Sequence, residues 1–291
     1  MRPVMLAGGA DRTLLAECPG ALLQFFDTPD ACGLRLVCRE FQAAVAAYPW
    51  EDRETVIQGS IGGWRACFPR ARCANVRFNE HAAGWRHTPV VDADFVHFVG
   101  LWELNMDSCT AVTDAAFVHL RGIRVLDMSL CSQPTITDAG LAHLAGIQKL
   151  CIDGCSQDTL TDAAFAPLRG IRMLNMGFCP QFTDAAFVYL KGIHTLLMNF
   201  CDQATITDAA LAHLKGIQCL VLDHCSIPFT EVGLGHLRDI MRLHMHCADE
   251  ASIAAALDLG LPATTGDCTE VSAFRFSDAE SGPWPVGAEW V

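Results

Sequence analysis

From about residue 73 the apolar positions follow one rhythm, in which alternation at every second residue gives way, within a few residues, to the wider spacing of a helix face. Leu126 with Met128, Leu150 with Ile152 and Leu174 with Met176 each lie two apart and point to one side of a short strand. Leu141 and Leu144, or Phe165 and Leu168, then lie three apart, as in a helical turn that packs inward. The stretches Ile123 to Gly146, Ile147 to Gly170 and Ile193 to Gly216 overlay without a gap, and Ile171 to Gly192 is the same pattern two residues shorter. Units begin at Leu101, Ile123, Ile147, Ile171, Ile193, Ile217 and Ile240. A degenerate first unit near Cys73 offers Val76 and Phe78 as strand residues and Asp92, Phe95 and Phe98 for its helix. Each unit predicts strand, turn and short helix, and because no unit can bury its apolar face alone, stacked units must share one core.

Polar residues punctuate the same units. Thr137-Asp138, Thr161-Asp162, Thr183-Asp184 and Thr207-Asp208 stand where a helix should begin, the hydroxyl accepting a backbone N–H and the Asp charge meeting the positive end of the helix dipole. Gly146, Gly170, Gly192 and Gly216 end those helices. Cys109, Cys131, Cys155, Cys179, Cys201 and Cys225 all fall three residues after the second strand apolar. This pattern resembles the cysteine-containing subclass of leucine-rich repeats, over residues 73 to 261, about two thirds of the chain. The resemblance implies an α/β solenoid of about eight units, with parallel strands on the concave face and short helices on the convex face. His81 in the ladder place of the first unit, Glu231 in place of Asp, and Cys247 one residue early mark the end units, which act as caps.

Residues 14–54 have a different rhythm. Leu22, Leu23, Phe25 and Phe26 cluster, Pro29 interrupts, and Leu34 to Val45 runs at helical spacing, which fits two or three short helices. Pro19-Gly20-Ala21-Leu22-Leu23, the run from Leu34-Arg35-Leu36-Val37-Cys38-Arg39 to Phe41, and the later Trp50 resemble the F-box. That resemblance implies a small helical module that docks on the linker subunit of a cullin-type (SCF) ubiquitin ligase, here through Pro19, Leu22, Leu23, Leu36, Val37 and Phe41. The alternative is a helical cap over the apolar edge of the first repeat. Residues 55–72 read as a connector whose Trp64 and Phe68 pack between the two parts, and 262–291 as a C-terminal cap, since Val271, Phe274, Phe276, Trp284 and Trp290 are many apolar groups to leave in water.

Composition narrows the function. The formal net charge of −13, from 33 acidic and 20 basic residues, argues against nucleic acid as a partner. No apolar run approaches the roughly 20 residues of a membrane span, and Val4 to Ala7 is too short for a signal peptide. A cytoplasmic or nuclear location, not a secreted one, is expected. The 15 cysteines include no Cys-x-x-Cys pair, and the ladder positions call for small buried apolar groups, not metal or redox chemistry. Asp223, His224, His244 and His246 fall on neighbouring strands, but no second carboxylate is placed to orient a metal ligand. No phosphate loop or catalytic triad is recognisable, so no cofactor and no enzyme is expected. What remains is surface. Glu103, Asn105, Asp107, Asp127, Asp153, Asn175, Asn199, Asp223 and His244 alternate with the buried positions and should line the concave sheet, offering an acidic face to an unidentified protein target. Phe178 and Phe200 sit one place beyond that face, either as an aromatic anchor or packed under the turns.

Overall fold

The computed structural model describes residues 23–265 apart from Glu80, Ala82, Ala83, Trp85 and Cys247. Pro19, Leu22 and the tail 266–291 therefore lie outside the described residues.

Among the described residues nine strands form one parallel sheet in strict chain order. They are β1 (Cys73–Asn75), β2 (Glu103–Asn105), β3 (Val125–Asp127), β4 (Lys149–Cys151), β5 (Met173–Asn175), β6 (Thr195–Leu197), β7 (Cys219–Val221), β8 (Arg242–His244) and β9 (Ala263–Thr264). The middle residues Leu104, Leu126, Leu150, Leu174, Leu196, Leu220 and Leu243 stand in register and face the core. The sheet runs one strand past the eight expected units, because Ala263 and Thr264 pair with Leu243 and His244. At the other end β1 stops at Asn75, so Val76 is buried just beyond it and Phe78 makes only an isolated bridge to Arg86.

Each unit returns by a short helical segment on the convex side, such as Asp138–Leu141 continued by the 3-10 turn Ala142–Leu144. Gly146 then takes φ +86°, a conformation that disfavours residues with a Cβ, and turns the chain into the next strand. Ladders of polar groups tie the units together. Each ladder Cys thiol donates to a carbonyl just beyond the strand of the preceding unit, as Cys155 to Met128 O and Cys179 to Ile152 O, both at 3.1 Å. Gln133, Gln157, Gln181 and Gln203 donate amide N–H groups to the carbonyl of the preceding ladder cysteine, at 2.7–3.2 Å.

The Thr-Asp pairs behave differently from expectation. Each Thr hydroxyl does accept the N–H two residues on, at 3.1–3.2 Å. The Asp carboxylate, however, reaches across to the next unit and accepts both the N–H and the hydroxyl of the following Thr, as Asp138 does from Thr161 at 2.8 and 2.7 Å. Asp92, Asp114, Asp162, Asp184 and Asp208 repeat the arrangement. A charge-assisted pair of bonds to a neighbouring unit outweighs a dipole interaction of a few tenths of a kcal/mol, so the residue is better described as a staple between units.

The N-terminal part comprises α1 (Thr28–Leu34), α2 (Arg39–Ala47) and α3 (Ile61–Cys67). Asp27 caps α1 by accepting from the Asp30 N–H, and Asp52 accepts from both the N–H and the hydroxyl of Thr28. Burial alone would raise the Asp52 carboxyl, but the donors of Thr28 and Thr55 bring it below its ordinary range. Leu23, Ala31, Val45, Trp50, Phe68 and Ala71 form a small core of their own. The Trp50 ring meets Phe68 edge-on at 5.5 Å and donates its N–H to Val45 O. The solenoid core begins only with Ile57 and Ile61. Trp64 packs against both cores, whereas Phe68 belongs to the small core alone.

Candidate functional site

The concave side is built from three rows of side chains, two from the strands and one from the residue two places beyond each strand. Strand register brings Glu103, Val125, Lys149, Met173, Thr195 and Cys219 into one row and Asn105, Asp127, Cys151, Asn175, Leu197, Val221 and His244 into the next. The third row holds Arg77, Asp107, Ser129, Asp153, Gly177 and Asn199. Its position follows from local turns at the strand ends: the side-chain oxygens of Asn105, Asp127 and Asn175 each accept the N–H two residues on, at 3.1 Å.

The first half of this face is acidic. A hollow of about 510 Å³ is lined there by Arg53, Arg77, Asp107, Asp127 and Asp153 among others. Burial pushes the Asp107 carboxyl up to about 6, reinforced by the charges of Asp127 and Asp153 and opposed by the Ser108 hydroxyl and Arg77. Burial also raises Asp127, although Ser129 donates to it through both N–H and hydroxyl. Asp153 is raised by burial and by the Asp127 charge, and the absence of a Cβ on Gly177 makes room for its carboxylate. Three carboxylates on successive units, partly removed from water, suit a cationic group on a partner. Among the described residues no group of three or more His, Cys, Asp and Glu is arranged to hold a metal ion.

The sequence-derived residues separate into two sets. Glu103, Asn105, Asp107, Asp127, Asp153, Asn199 and His244 are half-buried on the concave side, whereas Asn175 and Asp223 are 9% and 2% exposed and serve the scaffold. Asp223 accepts the His246 N–H at 2.9 Å, so its side chain closes the last turns and does not offer a surface charge. Burial lowers His244. The second half of the face is apolar, with Met173, Leu197, Cys219 and Val221 forming a separate buried cluster. Two arginines were missed by sequence reasoning. Arg53 reaches over from the connection after α2 to pair with Glu103 at 2.7 Å, which nothing in its neighbourhood signals. Arg77 was legible, since it occupies in the first unit the place of Asp107 in the second. Phe178 and Phe200 stand 49% and 42% exposed on the rim, so they do not pack under the turns.

In the N-terminal module Leu36 and Val37, at the junction of α1 and α2, are 89% and 67% exposed, and Phe25 is 81% exposed. Phe41 is half-buried on α2. Leu23 is 2% exposed inside the small core, so it supports the module from within and presents no docking surface. None of the helices among the described residues is long and apolar enough to cross a membrane.

No protein-family model matches this chain. No curated protein matches it either. Solved structures do. Internalin C2 from Listeria monocytogenes is 18% identical, with 69% of this chain and 84% of that one covered and a TM-score of 0.52. Human 5T4 is 16% identical over 62% of this chain and 70% of that one, with a TM-score of 0.46. A chain of the yeast Rad7–Elc1 complex is 20% identical, with 46% of this chain covered, only 40% of that one and a TM-score of 0.38. At such identities the likeness is one of fold, and with parallel strands joined in chain order through short helical segments, that fold is the leucine-rich-repeat solenoid.

Proposed function

We propose that this chain is a non-enzymatic adaptor: its concave face holds a protein target, and its N-terminal helices hold the linker subunit of a cullin-type ubiquitin ligase. The observation that carries the second half is the separation of the two cores. Capping the first repeat falls to Ile57 and Ile61, while no residue between 23 and 50 belongs to the solenoid core. Helices α1 and α2 are therefore surplus to the needs of a cap, and they leave Leu36 and Val37 in water within the F-box-like run, an apolar pair that a partner would cover. For the target, the acidic hollow around Asp107, Asp127 and Asp153 favours a basic segment, with charge acting through association rate and selectivity.

The test is binding of purified linker subunit to the full chain and to a Leu36→Asp/Val37→Asp variant. Binding to the wild type, lost in the variant with stability changed by less than about 0.5 kcal/mol, is the expected result, because both side chains are exposed. No binding by the wild type would leave the chain a repeat scaffold with no ubiquitin link, and equal binding by the two proteins would remove the docking surface from Leu36 and Val37.

A further inference from the structure

At the turn leaving each of β2–β7 one residue takes a left-handed backbone: Ser108, Leu130, Gly154, Phe178, Phe200 and His224 lie at φ 52–69°. Residues with a Cβ are strained there and aromatic ones especially so, yet successive units carry Phe, Phe and His. Their rings form a continuous stack. Phe178 and Phe200 are 4.2 Å apart at 15°, and Phe200 and His224 are 4.5 Å apart at 3°, close to the spacing of the strands beneath them. Phe200 thus has both faces covered, while Phe178 has one.

The other face of Phe178 looks toward the unit that carries Gly154, where the row has no side chain. A hollow of about 720 Å³ opens at this place, lined by Leu130, Asp153, Gly154, Phe178, Pro180 and Asp202 among others. Leu130 leans over from the preceding unit, for a Cβ on Gly154 would lie 2.6 Å from its Cδ2. The result is a slot with Gly154 as floor, a ring on one side and an aliphatic side chain on the other. Among the described residues its lining includes two carboxylates and no basic residue. Asp202 spends one oxygen on the Ser226 N–H, whereas no described residue donates to the Asp153 carboxylate, which also lines the acidic hollow.

We propose that this slot takes an arginine side chain of a protein partner, its guanidinium continuing the stack on Phe178 and pairing with Asp153. A guanidinium is flat, cationic and weakly hydrated, so it suits a ring face and a carboxylate together; a lysine supplies only the charge and an aromatic ring only the plane. The inference rests on the concave-face reading above and names the chemistry that face would select.

The test uses the full chain and four capped tripeptides with Arg, Lys, citrulline or Phe between two glycines, followed by NMR of the Phe ring and Leu methyl signals. The Arg peptide should shift Phe178 and Leu130 saturably and bind about fivefold or more tightly than the others. Asp153→Asn and Phe178→Leu should each weaken it by about fivefold, and Gly154→Asn, which tolerates the left-handed backbone, should block it. Phe178→Leu places there the residue that Leu130 already is at the equivalent turn, and Phe178→His, the residue found at 224, should keep part of the binding. Equal binding of citrulline or Phe peptides, indifference to Phe178→Leu, or no shift at millimolar peptide would overturn the slot. Saturable shifts that spare Phe178 and Leu130 would also overturn it while leaving the acidic face standing as a binding surface. Shifts at Phe178 that persist in an Asp107→Asn/Asp127→Asn variant would support the slot even if that face failed.

Discussion

A single carboxyl shows how this scaffold sets its own chemistry. Asp107 titrates near 3.8 when unfolded and is raised to about 6 by burial in the folded chain. Between those values the folded protein holds the extra proton, so this group's contribution to stability falls as pH rises through that window and is most favourable below it. Asp107→Asn removes the titration while keeping the shape. Urea melts should therefore show the wild type gaining on the variant as pH drops from about 7 to about 4, with the difference flat below that range. A difference that stays constant with pH would mean that the carboxyl is as well solvated as in the unfolded chain. The alternation of side chains identified Asp107 as a concave residue, since period two is all that statement needs. The same reasoning could not separate it from Asp223, because a residue's exposure depends on the turn that follows its strand, and Asp223 turns to bond His246.

At the scale of the unit, strand, turn and helix were legible throughout residues 101–237, where each apolar pair and each Thr cap fell in its expected place. The staples were not legible as such. A Thr-Asp dipeptide reads as a local cap, and only the stacked geometry reveals that the carboxylate serves the neighbouring Thr. The Gln ladder did leave a signal, the repeated Cys-x-Gln of Cys131, Cys155, Cys179 and Cys201, whose purpose needed the carbonyl positions. Removing one staple should be felt. Asp138→Ala leaves the Thr161 N–H and hydroxyl without their acceptor and should cost about 2–3 kcal/mol by denaturant melts. Asp158→Ala, at an exposed turn position, should stay within about 0.5 kcal/mol. Equal effects of the two substitutions would reduce the staple to a surface contact.

For the whole molecule, two cores imply two thresholds of stability. Trp50 fills the smaller core, and Trp→Ala changes at such sites cost about 3–5 kcal/mol, more than a cluster of this size can absorb. Trp50→Ala should abolish hydrogen-exchange protection in α1 and α2 while protection of the strand amides β2–β7 remains. Parallel loss in both would show that the helices and the solenoid unfold as one. The rhythm of the sequence changes near residue 55, but it does not reveal that Phe68 and Ala71, beyond that point, join the N-terminal core, or that Ile57 and Ile61 begin the solenoid core. The staples have one more consequence, for descent. Each unit accepts from its neighbour through an Asp and donates through a Thr, so a duplicated or deleted unit leaves every junction satisfied. Residue spacing from the ladder cysteine to the capping threonine varies freely, from Cys179–Thr183 to Cys201–Thr207, without touching strand or staple. Such an array can gain or lose reach by unequal recombination of its coding sequence, one whole unit at a time.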